Sequence, residues 1–441
     1  MHCQIILGRH VGDKMAQSLR SHRDEPAAFS PLPASPEALH PITLDYGADD
    51  PLVLESRGDA PPAAFEPPRG VEGLAARRLT SEALAAEGHC PPLAAHVVPG
   101  DRVVVALAGD IPQGEQVIAA VVESLRTAGV DTGDVSLVQA PRLGFEAGRV
   151  GDGTAMLAGT IPFDPAIDAG TAYLAADEAG VPLYLARPLV DADVVVAVGD
   201  WGWDAALGGR SIEGELWPTF SRSGARSDLL VALARRGRGA LGDWKSTAHD
   251  ITWQLGVCAS LRLVRGAGAT LHAACFGLPD EASRRARLAA AAWSPSFAAT
   301  ADVVIASLSD SAADFGPITA ALAAAARVTR PGGTICIAGQ TSVAPGIIFQ
   351  RWRQGVPLEG LVHEAVASGD AALIADALQT RLFARALDDR RLVLLSNLDE
   401  ATVEELEFGH AATPEVVERL AYRAESLAVL PEADRCFPRQ A

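Results

Sequence analysis

Asp110 and Asp204 are the two carboxylates whose positions could support proton transfer, because each follows an apolar run closed by glycine (Gly109 and Gly199). One could serve as general base and the other as general acid, or the pair could hold a cation. Around them in sequence stand Gln113, Arg142, Asp164, Trp201, Trp203 and Arg210. Arg142 and Arg210 could hold an anion, and Gln113 could donate hydrogen bonds without bringing a charge. The tryptophans could stack on a ligand. Each of these residues also has a plainer role: the aspartates as caps of the helices that follow, the arginines as their ion-pair partners, the indoles as core.

Histidine is missing where chemistry would want it. Between His96 and His249 there is none, and the single lysine of that stretch is Lys245. Lys245, His249 and Asp250 lie together and could supply a base, but they fall beside the expected domain junction, where a hinge or surface position accounts for them. His272 and His363 stand alone in apolar elements and read as core or surface residues. The glycine-rich Gly237-Arg238-Gly239-Ala240-Leu241-Gly242 follows a helical stretch, whereas a dinucleotide fingerprint needs a strand before it. Arg330-Pro331-Gly332-Gly333 before a strand resembles a methyltransferase turn, yet no glycine-rich cofactor loop precedes it at the required distance.

The elements that would position these residues are alternating strands and helices. Residues 102–108 (R-V-V-V-A-L-A), 135–138 and 193–198 (D-V-V-V-A-V) are short apolar strands, and helical spacing of apolar residues runs over 117–127. Uninterrupted apolar strands separated by helices predict a parallel sheet covered on both faces, with ligands bound at the carboxyl ends of its strands. A second unit follows. It contains a hairpin (260–264 with 270–275), a strand at 302–307, an alanine-rich helix over 318–328, a strand at 334–338, helices near 357–387, and strands at 391–396 and 426–430. The expected organisation is α/β: an N-terminal extension over 1–40, one α/β domain over 41–250 and a second over 251–441, with a ligand cleft between the two.

Composition narrows the partners. The 441 residues are 49% hydrophobic and 21% charged, a globular balance, and the net charge of -18 disfavours nucleic acid and anionic membranes. Only Lys14 and Lys245 are lysine among 37 basic residues, so abundant arginine reflects codon usage and carries no phosphate-binding signal. Six scattered cysteines without a C-x-x-C pair fit neither a zinc site nor a disulfide framework and predict a reducing, cytoplasmic setting. No apolar run reaches the length of about 20 residues that a membrane helix needs. Charges at Arg9, Asp13 and Lys14 interrupt a signal core, and prolines 26, 31, 33 and 36 predict a flexible extension or an over-long gene start.

Pro91-Pro92-Leu93, then Pro99-Gly100-Asp101-Arg102-Val103-Val104-Val105 leading to Gly109-Asp110-Ile111-Pro112-Gln113, resembles the N-terminal domain of the nickel-pincer lactate racemase family. Thr43-Leu44-Asp45-Tyr46-Gly47, Ala128-Gly129-Val130, Gly180-Val181-Pro182-Leu183-Tyr184, Asp191-Ala192-Asp193-Val194-Val195, Ala301-Asp302-Val303-Val304-Ile305 and Arg330-Pro331-Gly332-Gly333-Thr334-Ile335 continue the resemblance from about residue 41 to the end.

The resemblance implies racemisation of a 2-hydroxy acid through hydride transfer to a nickel-bound pyridinium. A lysine anchors that cofactor, one histidine ligates nickel and two more exchange the hydroxyl proton. In this chain the matching positions differ. Gln113 stands for the arginine of S-D-x-T-R-P, Leu143 for the histidine of G-T-H-R, and Phe163-Asp164-Pro165 keeps the aspartate but not the histidine. Asp204 stands for the next histidine, and Gly208-Gly209-Arg210-Ser211 puts Ser211 where the family has its lysine.

Pro317 and Ala320 replace polar contacts of the second domain. By the resemblance Gly208, Gly209 and Ser211 fall in the cofactor-binding segment, but neither the pincer nucleotide nor its nickel finds its ligands. The cofactor is therefore unassigned. The expected reading is a divergent relative with altered or lost isomerase activity on a hydroxy acid or sugar acid; the alternative is a non-catalytic module that binds a small molecule or a protein.

Overall fold

The computed structural model describes residues 41–57, 62–87, 90–140, 160–177, 180–203, 216–257, 259–309 and 315–441. All of these lie in one compact unit, Ala38–Ala441. The extension expected over 1–40 lies outside the described residues.

An antiparallel hairpin, β1 (Ile42–Leu44) with β2 (Leu52–Leu54), is followed by the short β3 (Ala63–Ala64). Helix α1 (Gly73–Ala85) precedes β4 (Val103–Ala108), which is buried at all of its positions, as a strand covered on both faces must be. After α2 (Gly114–Thr127) come β5 (Val135–Ala140) and β6 (Thr160–Pro162). The hairpin β7 (Thr171–Ala176) and β8 (Pro182–Ala186) leads through α3 (Arg187–Asp191) to β9 (Val194–Asp200). Helices α4 (Ser223–Arg236) and α5 (Leu241–Gln254) then precede β10 (Ala259–Arg265) and β11 (Leu271–Gly277).

The second run begins with α6 (Pro279–Ala289), β12 (Ser296–Phe297), β13 (Ala301–Ser307), α7 (Gly316–Ala325) and β14 (Thr329–Ala338). Three helices follow: α8 (Ile347–Arg353), α9 (Leu358–Ser368) and α10 (Ala371–Leu387). The chain closes with β15 (Arg391–Leu395), α11 (Glu400–Glu405), β16 (Gly409–His410), α12 (Pro414–Arg423), β17 (Leu427–Leu430) and β18 (Arg439–Gln440).

Two six-stranded sheets result. The first has the order β11-β10-β9-β4-β5-β6 and is parallel except for β11; the second, β16-β15-β14-β13-β17-β3, is parallel throughout. The mixed α/β architecture with mostly parallel sheets is the one the alternating pattern predicts.

The sheets do not part at residue 250. The hairpin β10–β11, expected in the second unit, completes the first sheet: β10 lies beside β9 in parallel register and is buried at all positions before Arg265. In the other direction β3 crosses to pair with β17.

The two halves also share core. Trp201 and Val264, from the first sheet's strand ends, pack in one buried cluster with Phe65, Trp293, Val304 and Phe315. No helix among the described residues is long and apolar enough to cross a membrane.

Candidate functional site

The carboxyl ends of β4, β9 and β10 lie side by side, with Ala108 in register with Gly199 and Asp200 with Leu263. Three charged side chains meet there. Arg265 Nε donates to Asp200 Oδ2 at 2.6 Å, and its Nη2 donates to the Asp110 carbonyl at 2.6 Å and reaches the Asp110 carboxylate at 3.5 Å. The side chains of Asp200 and Arg265 are 8% and 17% exposed, while that of Asp110 is 54% exposed. The guanidinium thus joins a buried carboxylate to one that faces water. Such an arrangement can present Asp110 as a hydrogen-bond acceptor or base, and can offer Arg265 to an anion that displaces the weaker Asp110 contact.

The other expected site residues separate. Gln113 sits in left-handed conformation at the head of α2 (φ 54°), its Oε1 accepts from the Gly73 amide at 2.8 Å, and its Nε2 donates to the Ala269 carbonyl at 3.0 Å. Both ends of the amide are spent on backbone, tying α1 and the β10–β11 loop together. Asp164 is exposed, and its Oδ1 accepts from the Ala166 amide at 2.8 Å, closing a local turn.

Trp201 and Trp203 pack where the two halves meet. Trp201 is 2% exposed, and its ring meets Trp203 edge-on at 5.5 Å. Trp203 stacks on Phe437 at 4.8 Å, and its Nε1 donates to the Ala290 carbonyl at 3.1 Å, joining the end of β9 to the C-terminal half. The indoles are drawn in because the two halves close over this corner and need large apolar surfaces there.

Arg142, Asp204, Gly208, Gly209, Arg210 and Ser211 lie outside the described residues, as does Leu143. Gly237–Ala240 forms a short turn between α4 and α5, so the strand that a dinucleotide loop requires is absent before it. His249 on α5 faces Asp280 at 3.8 Å, His272 Nδ1 contacts the Arg69 carbonyl at 2.8 Å, and His363 is an exposed residue of α9.

Asp200 and Arg265 are what a reading of motifs misses. The available signal is positional: an aspartate directly after V-V-V-A-V-G and an arginine ending L-R-L-V-R place opposite charges at the same edge once both strands are parallel.

The loop joining β10 and β11 is gripped from the second half. The Gly268 amide donates to Glu432 Oε1 at 2.7 Å, and Arg435 Nη1 donates to the Gly268 carbonyl at 2.7 Å and to Glu432 Oε2 at 2.8 Å. Trp293 Nε1 donates to the Arg265 carbonyl at 2.8 Å. Gly268 is left-handed (φ 63°), and a Cβ at Gly266 would lie 2.8 Å from the Gly70 backbone nitrogen, so glycine is required at both positions. Burial pushes the Glu432 carboxyl above its ordinary value; Arg435 and the Gly268 amide oppose the shift without cancelling it.

The described fold, two mostly parallel α/β sheets with a shared core, is lactate-racemase-like. It is similar to the lactate racemase apoprotein from Thermoanaerobacterium thermosaccharolyticum, with 15% sequence identity and a TM-score of 0.69 over 90% of this chain and 100% of that one. A protein from Thermotoga maritima solved by a structural genomics consortium is also similar, with 10% identity and a TM-score of 0.57 over 83% of this chain and 97% of the other. No family model matches the sequence. No curated protein matches it either.

Proposed function

We propose that this chain is a divergent lactate-racemase-like protein that binds a small hydroxy acid or sugar acid at the carboxyl edge of its first sheet and has lost or altered the isomerase chemistry. The observation that carries this reading is the Arg265 guanidinium held between buried Asp200 and exposed Asp110 at the edge where open α/β sheets bind ligands. Asp110 would accept a hydrogen bond from, or take a proton from, a ligand hydroxyl, and Arg265 would hold its carboxylate.

The nickel-pincer nucleotide does not fit the residues present. The histidines that bracket the histidine-free stretch serve the wrong edge: His96 precedes β4, and His249 lies on the helix leading into β10, so both belong to the amino side of the strands. His96 Nε2 is moreover within 3.2 Å of the Pro91 carbonyl, and Lys245 rides on α5. An imidazole supplies the nickel ligand and the proton exchange, and an amine the covalent anchor. The Asp110–Arg265–Asp200 group offers neither, so no step is assigned through that cofactor.

A second reading, a non-catalytic binding module, draws on the backbone bonds made by both ends of Gln113, one oxygen of Asp164 and the Trp203 N–H, which leave Asp110 as the exposed acid of the described group. The test is metal analysis of protein expressed with nickel in the medium, followed by thermal-shift titration and a racemisation assay with D- and L-lactate and with gluconate. Stabilisation by one of these acids, without stoichiometric nickel or lactate interconversion, supports the proposal. Bound metal with turnover of another acid selects altered over lost chemistry. Stoichiometric nickel with interconversion of the lactate enantiomers overturns it, and no response to any acid moves the assignment to a binding module for another partner.

A further inference from the structure

Glu432, half-buried, and its partner Arg435 hold backbone of the β10–β11 loop near Arg265 from the second half. Glu432 lies just after β17, in a left-handed conformation (φ 48°) that is uncommon for a residue with a Cβ, and its amide donates to Ser307 Oγ at 3.3 Å. Its side chain is 15% exposed.

The titratable groups facing it are Arg435, which it pairs with, Asp434, whose carboxylate accepts from the Ser309 amide at 2.8 Å, and Cys436, whose thiol burial holds well above its ordinary value and so keeps neutral. The gripped loop, Gly266–Thr270, contains no titratable side chain, and α7, which packs on the turn carrying these residues, has none either. The only charge on β13, Asp302, is at the opposite end of that strand.

We propose that Glu432 is a proton-coupled clasp between the two halves: its hold on Gly268 tightens on acidification and loosens as the pH rises. When the clasp opens, the carboxylate regains water; when it closes, the carboxylate gives up that water for one amide and one guanidinium. The water lost outweighs the two donors gained, so closing favours the protonated acid, whose carbonyl oxygen still accepts from Gly268. The sign is the reverse of that for an exposed ion pair, which acid would break. Because Arg265 begins this loop, the clasp sets how firmly the Asp110–Arg265–Asp200 group is held, whether or not a hydroxy acid is its ligand.

Hydrogen exchange of the fragment spanning Arg265 to Leu271, corrected for the intrinsic pH dependence of exchange, tests this on the full-length protein without ligand. Protection in this fragment should rise several-fold from about pH 8 to about pH 4, near the ordinary glutamate value, while the β4 fragment stays constant. In Glu432→Gln, which keeps an oxygen acceptor but cannot ionise, protection should be independent of pH. A wild-type loop whose protection is flat or falls with acid overturns the clasp, and so does a pH response that survives in Glu432→Gln.

Discussion

Arg265 Nε and Asp200 Oδ2 are 2.6 Å apart at the ends of two adjacent parallel strands, with both side chains largely withdrawn from water. A buried ion pair is costly to break from one side, because the remaining charge keeps its desolvation penalty and loses its partner. Asp200→Ala and Arg265→Ala should each lower stability by about 3–5 kcal/mol. Asp110→Ala removes an exposed and longer contact, so it should cost under about 1 kcal/mol. Urea unfolding of the three variants separates buried strut from exposed acid; an Asp110→Ala cost equal to that of Asp200→Ala would contradict the geometry.

Gln113 replaces a charged residue in the resembling family motif, and the structure uses it as a strap. Loss of its bonds to Gly73 and Ala269 in Gln113→Ala should cost about 1–3 kcal/mol. Gln113→Glu keeps the acceptor for Gly73 but puts a carboxylate oxygen against the Ala269 carbonyl, so it should be no better than the alanine variant. Gln113→Gly should recover part of the loss by relieving the left-handed backbone, by about 1 kcal/mol. Thermal unfolding midpoints in the order wild type, glycine, then alanine express that balance. Equal midpoints would return Gln113 to a purely ligand-facing role.

The strands were legible because burial on both faces leaves an uninterrupted apolar string, as at 103–108 and 194–198. The glycine closing each string marked the edge where Asp110 stands. Three features were not legible. Assignment of β10 to the first sheet depends on a long-range parallel pairing with β9 that local periodicity does not encode. The Asp200–Arg265 pair, 65 residues apart, exists only once that pairing is made. The fates of Gln113 and Trp203 were hidden for the same reason: their partners, Ala269, Ala290 and Phe437, come from distant segments that fold against the strand ends.

Asp302, at the amino end of β13, shows the opposite electrostatic logic to Glu432. Burial would lift its carboxyl, but the amides of Ser426 and Glu425, the Ser426 hydroxyl and Arg330 hold it below the ordinary value instead. A depressed acid binds its proton more weakly folded than unfolded. Its contribution to stability is therefore complete above the unfolded pKa, near about 4, and is lost as the pH falls through the lower folded value. Asp302→Asn keeps one acceptor for Ser426 but turns an amide donor toward the Glu425 N–H, so at neutral pH it should cost about 1–3 kcal/mol. Denaturant midpoints measured from neutral to about pH 3 should converge for the variant and wild type as acid removes the wild-type advantage. A gap that widens in acid would mean that Asp302 binds its proton more tightly in the folded state, and the hydrogen bonds from Ser426 would not be what stabilises its charge.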